Sequence, residues 1–460
     1  MDESTITNEA RHFSPCASLA ALGSKLHELD VFEPIRASVR IAQKTVKHSP
    51  LDKVYDGFIT LLAGAHGLVE INTRLRSDAV LQAAFGRTAC AEQSVVQQTL
   101  DACTAENVRQ MEQAVQTIYR RHSQGYRHDY ATEWQIIDVD MSGLPCGKKA
   151  ALATKGYFAK QRNRRGRQLG RVLATRYDEV VVDQLFSGTT QLSTALPPLV
   201  TAAAQTLELD AAKRARTIVR VDAGGGSLDD VNWLLAQGYV VHGKEYSSRR
   251  ARALAESVAE WSEDPQVPGR QIGWVTTAPT EYVRPVRRIA VRCRKKNGQW
   301  GVGVVVSAVP PAAVLDLTGQ SADLVHDDHA VLQAYVYFYD QRGGGVETAL
   351  KGDKQGLGLS ARNKKRFEAQ QVVMLLSALA HNVIVWARQW LLPQCPPLRH
   401  YGIVRMVRDV FHVSGFVVRD AHGQMVQLVL NQAAPLARGL ADALGTLLAP
   451  LHVAVTLGQT

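Results

Sequence analysis

The chain has 460 residues, 46% of them hydrophobic, and Lys plus Arg outnumber Asp plus Glu by 53 to 43, for a sequence pI near 9.3. That length exceeds one ordinary domain and is ample for a large core, so roughly two to four domains are expected, and the cationic surplus favours a polyanionic partner such as nucleic acid. The six cysteines are scattered, with no CxxC pair and no Cys/His cluster at zinc spacing, which argues against a disulfide scaffold or a zinc site and fits reduced thiols in a cytosolic protein. The opening decapeptide, MDESTITNEA, is acidic and polar and does not read as a secretory signal.

Residues 1–130 have a helical texture. Over 51–70 apolar residues recur at three- and four-residue spacing, and AEQSVVQQTLDACTAENVRQMEQAVQTIYRRH continues in the same way. A basic helical domain of this kind suits DNA-end binding or dimer contacts, and equally suits packing against the rest of the chain. At Glu133 the texture changes: EWQIIDVDMSGLP is an apolar run ending in acids and then Gly and Pro, a buried strand followed by a turn. A basic stretch follows, from Lys148 and Lys149 through Arg162, Arg164, Arg165 and Arg167 to Arg176, with strand candidates inside and after it. TIVRVDAGGGS is a second short strand ending in an acid and glycines, and DDVNWLLAQGYVVHGK reads as helix, Gly turn and strand. This strand–helix–strand grammar marks residues 131–250 as part of an α/β sheet.

From 268 to about 318 the pattern is β-rich, including RQIGWVTTAP, RRIAVRCRKKNGQWGVGVVVSAV and AVLDLTG, with Asn297-Gly298 as a hairpin turn. Residues 251–325 are therefore assigned to a β-insertion. Helix returns near 325 and dominates to Leu392, giving a second α/β half at 326–395 that ends in the linker PQCPP. The apolar run near 372–386, broken by Ser377, His381 and Asn382, reads as a buried helix too short to span a membrane. The tail, 396–460, gives two strands around 420–423 and a last helix near 434–451, a small α+β region.

Acids at the ends of apolar strands are the feature most suggestive of chemistry. Phosphodiester cleavage needs a nucleophilic oxygen on one side of phosphorus and a stabilised leaving oxygen on the other, and two Mg²⁺ ions roughly 4 Å apart serve both. Mg²⁺ takes oxygen ligands, chiefly carboxylates. Asp138 and Asp140 alternate onto one face of the first strand. Asp222 ends the second strand before Gly224, Gly225 and Gly226, a run that lacks both GxGxxG spacing and a P-loop Lys. Three glycines, Gly343 to Gly345, precede a helix starting near Val346, and on it Glu347 lies two turns before Lys354.

Taken together, these segments resemble the DDE insertion-sequence transposases, in particular the cut-and-paste group with a Tyr-Arg-Glu-Lys signature. Tyr339-x2-Arg342 and Glu347-x6-Lys354 match the two halves of that signature. Asp140-Met141-Ser142 fits the family's first aspartate better than Asp138 does, and Arg220-Val221-Asp222-Ala223-Gly224 fits the second. One spacing departs: four residues, not the family's three, separate Arg342 from Glu347. The resemblance covers about 130–395 and implies an α/β fold with an RNase H-like core interrupted by the β-rich insertion. It implies that Asp140, Asp222 and Glu347 are catalytic and hold Mg²⁺, with Mn²⁺ able to substitute. Tyr339, Arg342 and Lys354 would grip phosphates near the cut, and Lys148, Lys149, Arg162, Arg164, Arg165 and Arg167 would contact the DNA backbone, with Arg362, Lys364, Lys365 and Arg366 a second such cluster. The implied partners are double-stranded DNA (transposon terminal inverted repeats and target) and a second copy in a synaptic homodimer, in a bacterial cytoplasm at the nucleoid and with no membrane. A nuclease on the same core, a DNA-binding protein with a dead core, and a metabolic enzyme binding phosphate at VDAGGGS are the competing readings.

Overall fold

The computed structural model describes residues 11–45, 47–156, 158, 161, 163–420 and 423–459. The chain forms two compact units: Gln124–Leu144 with Thr154–Thr348, and Met1–Ser123 with Pro145–Ala153 and Ala349–Thr460. The boundaries suggested by sequence texture, near 130, 250, 325 and 395, differ from this division. The N-terminal helices share a unit with the C-terminal third, because packing joins segments distant in the chain.

The first unit is built on one mixed sheet. From one edge its strands run Thr154–Lys155, Arg165–Ala174, Gln135–Pro145, Thr217–Val221, Val240–Lys244, Trp300–Ser307, Arg287–Arg294, Arg270–Trp274 and Ser262–Glu263, and Glu179–Ser187 pairs beside Arg165–Ala174. The centre is parallel: Asp138 lies opposite Arg220 and Val139 opposite Val221, and Arg220 in turn lies opposite His242. Thr217–Val221 is buried along its whole length, as the β-branched run TIVRV requires of a strand covered on both faces. The helix Leu228–Ala236, opened by a Ser227/Asp230 capping box, carries the chain between the two parallel neighbours.

The β-rich segment extends this same sheet, since Trp300–Ser307 pairs antiparallel with Val240–Lys244. Its hairpin turns at Asn297-Gly298, with Gly298 at φ +77°. One part of that segment is not strand. AVLDLTG lies largely in the helix Pro311–Leu317, with Pro at its first turn, and stops at Gly319, where φ is +71°. A short apolar run does not separate strand from helix by periodicity; here the proline start and glycine stop decide. The helix Asp328–Asp340, capped by Asp327, packs Val331, Leu332, Tyr335, Val336 and Phe338 against Ile218, Ile272, Ile289 and Val305. Each such buried side chain contributes about 1.5–3 kcal/mol relative to exposure.

In the second unit the helices Pro50–Leu62, Gln93–Ala102 and Ala105–His122 pack on Phe367–Leu391. That helix has 25 residues, so by length and composition it reaches what a membrane span needs, contrary to the sequence-based expectation; its apolar stretch is wholly buried within the protein. Its polar interruptions are accommodated inside, His381 meeting Asp353 at 2.8 Å. A small sheet orders Arg11–Ser14, Gly415–Arg419, Met425–Asn431 and Ala454–Gly458, beside the helix Ala437–Leu448. Its first and last strands were not anticipated.

Candidate active site

Within the first unit, two parallel strands and the first turn of a helix deliver the acids singled out from sequence. Asp138 and Asp140 share the first strand, and their surroundings differ. Asp138 is fully buried and accepts from Arg220 at both oxygens, Nε at 2.6 Å and Nη2 at 3.0 Å. The remaining Arg220 nitrogen, Nη1, donates to the Phe338 carbonyl at 3.0 Å, and the guanidinium lies 4.8 Å from the Phe338 ring centroid. Gly345 backs onto this pair: a Cβ there would come 2.3 Å from Asp138 Oδ2, so glycine is the residue that fits.

Asp140, two residues on, is half-buried and faces Arg342, whose Nη2 lies 3.3 Å from its carboxylate. Burial is the largest influence on Asp140 and pushes its pKa up to about 6; Arg342 opposes this, while Asp222 and Glu347 add to it. Asp222 caps the short turn Ala223–Gly225, accepting from the Gly224 N–H at 2.8 Å. The next glycines allow a close approach: a Cβ on Gly226 would lie 1.8 Å from the Lys244 carbonyl oxygen. Glu347 is the second residue of the helix Val346–Gly356, which starts where the sequence placed it. Its half-exposed carboxylate accepts from Arg342 Nη1 at 3.0 Å.

Arg342 thus holds the centre of the group. It is 3% exposed, donates to the Val139 carbonyl at 3.3 Å, and leaves its buried Nε without a partner. Burial works against its charge, yet Asp140, Asp222 and Asp138 outweigh it and the net shift is upward. Tyr339, on the helix before, is mostly buried, and burial raises its phenol to about 12 within the fields of Arg342, Asp222 and Glu347. Lys354 lies seven residues beyond Glu347 on the same helix, in the second unit.

The basic residues named from sequence divide sharply. Lys148 and Lys149 are exposed in the second unit, and Arg164 and Arg165 are exposed in the first. Arg162 lies outside the described residues. Arg167 is 1% exposed, so its place among DNA-backbone contacts is corrected: it is a core residue of its strand. Arg171, from the same stretch, is buried and grips Asp183 with two 2.7 Å bonds. The second cluster divides likewise. Arg362 is buried, donates to the Leu357 and Ala65 carbonyls, and is lowered by burial to about 10. Lys364 is buried against Gln97 at 2.8 Å and lowered to about 8, while Lys365 and Arg366 are exposed. Sequence reading also missed Arg220 as the partner of Asp138; the signal was available only through the register of two parallel strands.

The family described as Transposase DDE domain group 1 matches residues 33–451. The chain belongs to this transposase family. No curated protein matches it. Among solved structures it is similar to the protein in the cryo-EM structure of a piggyBac transposase synaptic complex with hairpin DNA, at 14% identity and a TM-score of 0.45, covering 88% of this chain and 82% of that one. For a DDE transposase the question is whether these acids suit a divalent cation. The donor set is all carboxylate oxygen, which fits a hard ion. Among the described residues, however, no three His, Cys, Asp or Glu side chains form a ready metal site. A guanidinium sits between Asp140 and Glu347 instead.

Proposed function

We propose that this chain is a DNA transposase that cleaves transposon ends and joins them to target DNA, using Asp140, Asp222 and Glu347 on an RNase H-like core. The observation that carries the reading is the buried Arg342 shared between two sequence-distant acids, Asp140 at 3.3 Å and Glu347 at 3.0 Å, within the electrostatic reach of a third, Asp222. The strand order Glu179–Ser187, Arg165–Ala174, Gln135–Pro145, Thr217–Val221, Val240–Lys244, parallel where the two aspartates sit, supports an RNase H-like core.

In this reading the three carboxylates hold Mg²⁺ or Mn²⁺, which when bound supplies activation of the attacking oxygen and stabilisation of the leaving one. Asp140 comes from the middle of the strand Gln135–Pro145, Asp222 from the residue just after Thr217–Val221 and Glu347 from a helix start, so the donors are positioned by backbone already fixed in the fold. Arg342 at the centre of the group and Tyr339 beside it would hold the phosphate being cut; Lys354 joins them on the strength of the resemblance alone. The partners are double-stranded DNA and a second copy of the chain in a synaptic complex.

The test is a supercoiled plasmid carrying the flanking inverted repeats, incubated with the protein with and without Mg²⁺ or Mn²⁺. Metal-dependent cleavage at the repeats followed by joined products is expected. Cleavage without joining would leave a nuclease on the same core, and no cleavage under either metal would overturn the reading.

A further inference from the structure

A cavity of about 400 Å³ opens on the first unit between the helix Ser248–Ala255 and the 287–307 hairpin. Four cations line it, Lys244, Arg252, Arg270 and Lys295, against one carboxylate, Asp340. Arg270 is committed: it pairs with Asp340 and Asp264, each at 2.5 Å. Lys244, Arg252 and Lys295 are exposed, and no described carboxylate pairs with any of them. Three like charges around one concavity repel, and the one carboxylate in the lining, Asp340, is paired with Arg270. The floor is apolar, formed by Val291, Val305 and Val336.

The strand Trp300–Ser307 is shaped for the two lysines. Its glycines Gly301 and Gly303 face the cavity. A Cβ on Gly303 would come 2.7 Å from Lys244 Cε, and one on Gly301 would come 3.0 Å from Lys295 Cε. The missing side chains are the space in which the lysine stems lie. Tyr339 lines this cavity and also feels the charges of Arg342, Asp222 and Glu347, so the cavity lies near the carboxylate group.

We propose that this cavity is a phosphate-binding subsite for single-stranded DNA, taking the phosphodiester of a strand that runs on from the carboxylate group. The inference rests on the transposase reading above. A phosphodiester supplies the anion that Lys244, Arg252 and Lys295 lack, and the apolar floor accepts the uncharged face of a sugar or base; 400 Å³ lies within the range of small-ligand pockets. Duplex DNA can offer phosphates to the three cations but keeps its base faces stacked inside the helix, so the apolar floor favours a single strand, whose bases are free to turn.

The experiment measures anisotropy of a fluorescein-labelled hexathymidylate with the full chain across a salt series. The triple variant K244A/R252A/K295A is expected to bind at least about ten-fold more weakly near 0.1 M salt. Its slope of log affinity against log salt should be shallower by about 2, because roughly 0.7 counterions are released per phosphate contact on single strands. Gly303→Ala keeps every charge but displaces the Lys244 stem, and is expected to weaken binding several-fold, which bulk surface charge alone would not do. No binding by the wild type, or a triple variant with unchanged affinity and slope, would overturn the subsite. So would inorganic phosphate binding in a triple-sensitive way while the oligonucleotide does not bind, which would mark a free-anion site. Metal-dependent plasmid cleavage is followed in parallel. Its absence counts against the transposase reading, whereas cleavage that persists alongside an indifferent triple variant removes only the subsite.

Discussion

Two arginine–carboxylate groups stand on the same sheet and are made from the same residue types, yet they are finished differently. Around Arg220 the valences close: Nε and Nη2 serve Asp138, Nη1 serves a backbone carbonyl, an aromatic ring covers the plane, and both side chains are out of solvent. Around Arg342 they do not. One guanidinium is divided between Asp140 and Glu347, its Nε has no partner, and Glu347 is 58% exposed. A buried pair with every donor used holds a fold together; breaking it strands a charge. A buried cation shared between two acids, with one nitrogen unpartnered, leaves this group less fully satisfied than the first. The difference separates Asp138 from Asp140, which strand alternation alone could not do.

The largest effect tests the open group. Asp140→Asn and Asp222→Asn are each expected to reduce plasmid cleavage to background while end-DNA binding in a mobility shift is retained, since each removes a proposed ligand and leaves the DNA surface. Normal cutting by either variant would dissolve the contrast. Asp138→Asn tests the closed group: it uncovers Arg220 in the core and should cost about 3–5 kcal/mol in urea denaturation. A variant of normal stability that fails to cleave would move the first ligand to Asp138.

His242 probes the same buried side by pH. It is fully buried, hydrogen-bonds Ser307 Oγ at 3.0 Å, and is lowered to about 3, chiefly by burial and further by Arg220. Its folded pKa lies below its unfolded one near 6.5. Below about pH 6.5 the unfolded chain therefore binds a proton that the folded chain refuses, and stability falls by up to about 1.4 kcal/mol per pH unit until near pH 3. His242→Gln should flatten that part of the slope between pH 7 and 5; an unchanged slope would mean that the ring is not held neutral. The smallest expected effect is at Arg342. Without DNA, Arg342→Gln should bind Mn²⁺ several-fold more tightly by calorimetry, because the competing guanidinium is gone. Weaker binding would show that Arg342 supports the metal site and does not merely fill it.

Much of the scaffold was legible because local rules suffice for it. TIVRV announces a strand buried on both faces, Asn297-Gly298 a hairpin, and the glycines before Val346 a helix start, and the structure has each, with Gly343 and Gly344 in a short 3-10 turn. AVLDLTG was misread because seven residues do not distinguish two periods. The basic stretches were legible as charge and illegible as surface. Arg167, Arg171, Arg362 and Lys364 are as cationic in sequence as Lys148 or Arg164, and only packing shows which of them are spent on the interior.

The sequence by itself determined which acids lie in or just after apolar strands or begin a helix, because strand and helix periods and glycine turns act over a few residues, although the first strand runs on past Asp140 to Pro145. It also determined the family, through the order of those acids. Only the tertiary structure decided that Arg220 closes around Asp138, that Arg342 spans Asp140 and Glu347, and that Lys244 and Lys295 lie across two glycines of a neighbouring strand. Those relations depend on the register between strands and on burial. Both are set by how distant segments share one core, and neither is written in the spacing of residues along the chain.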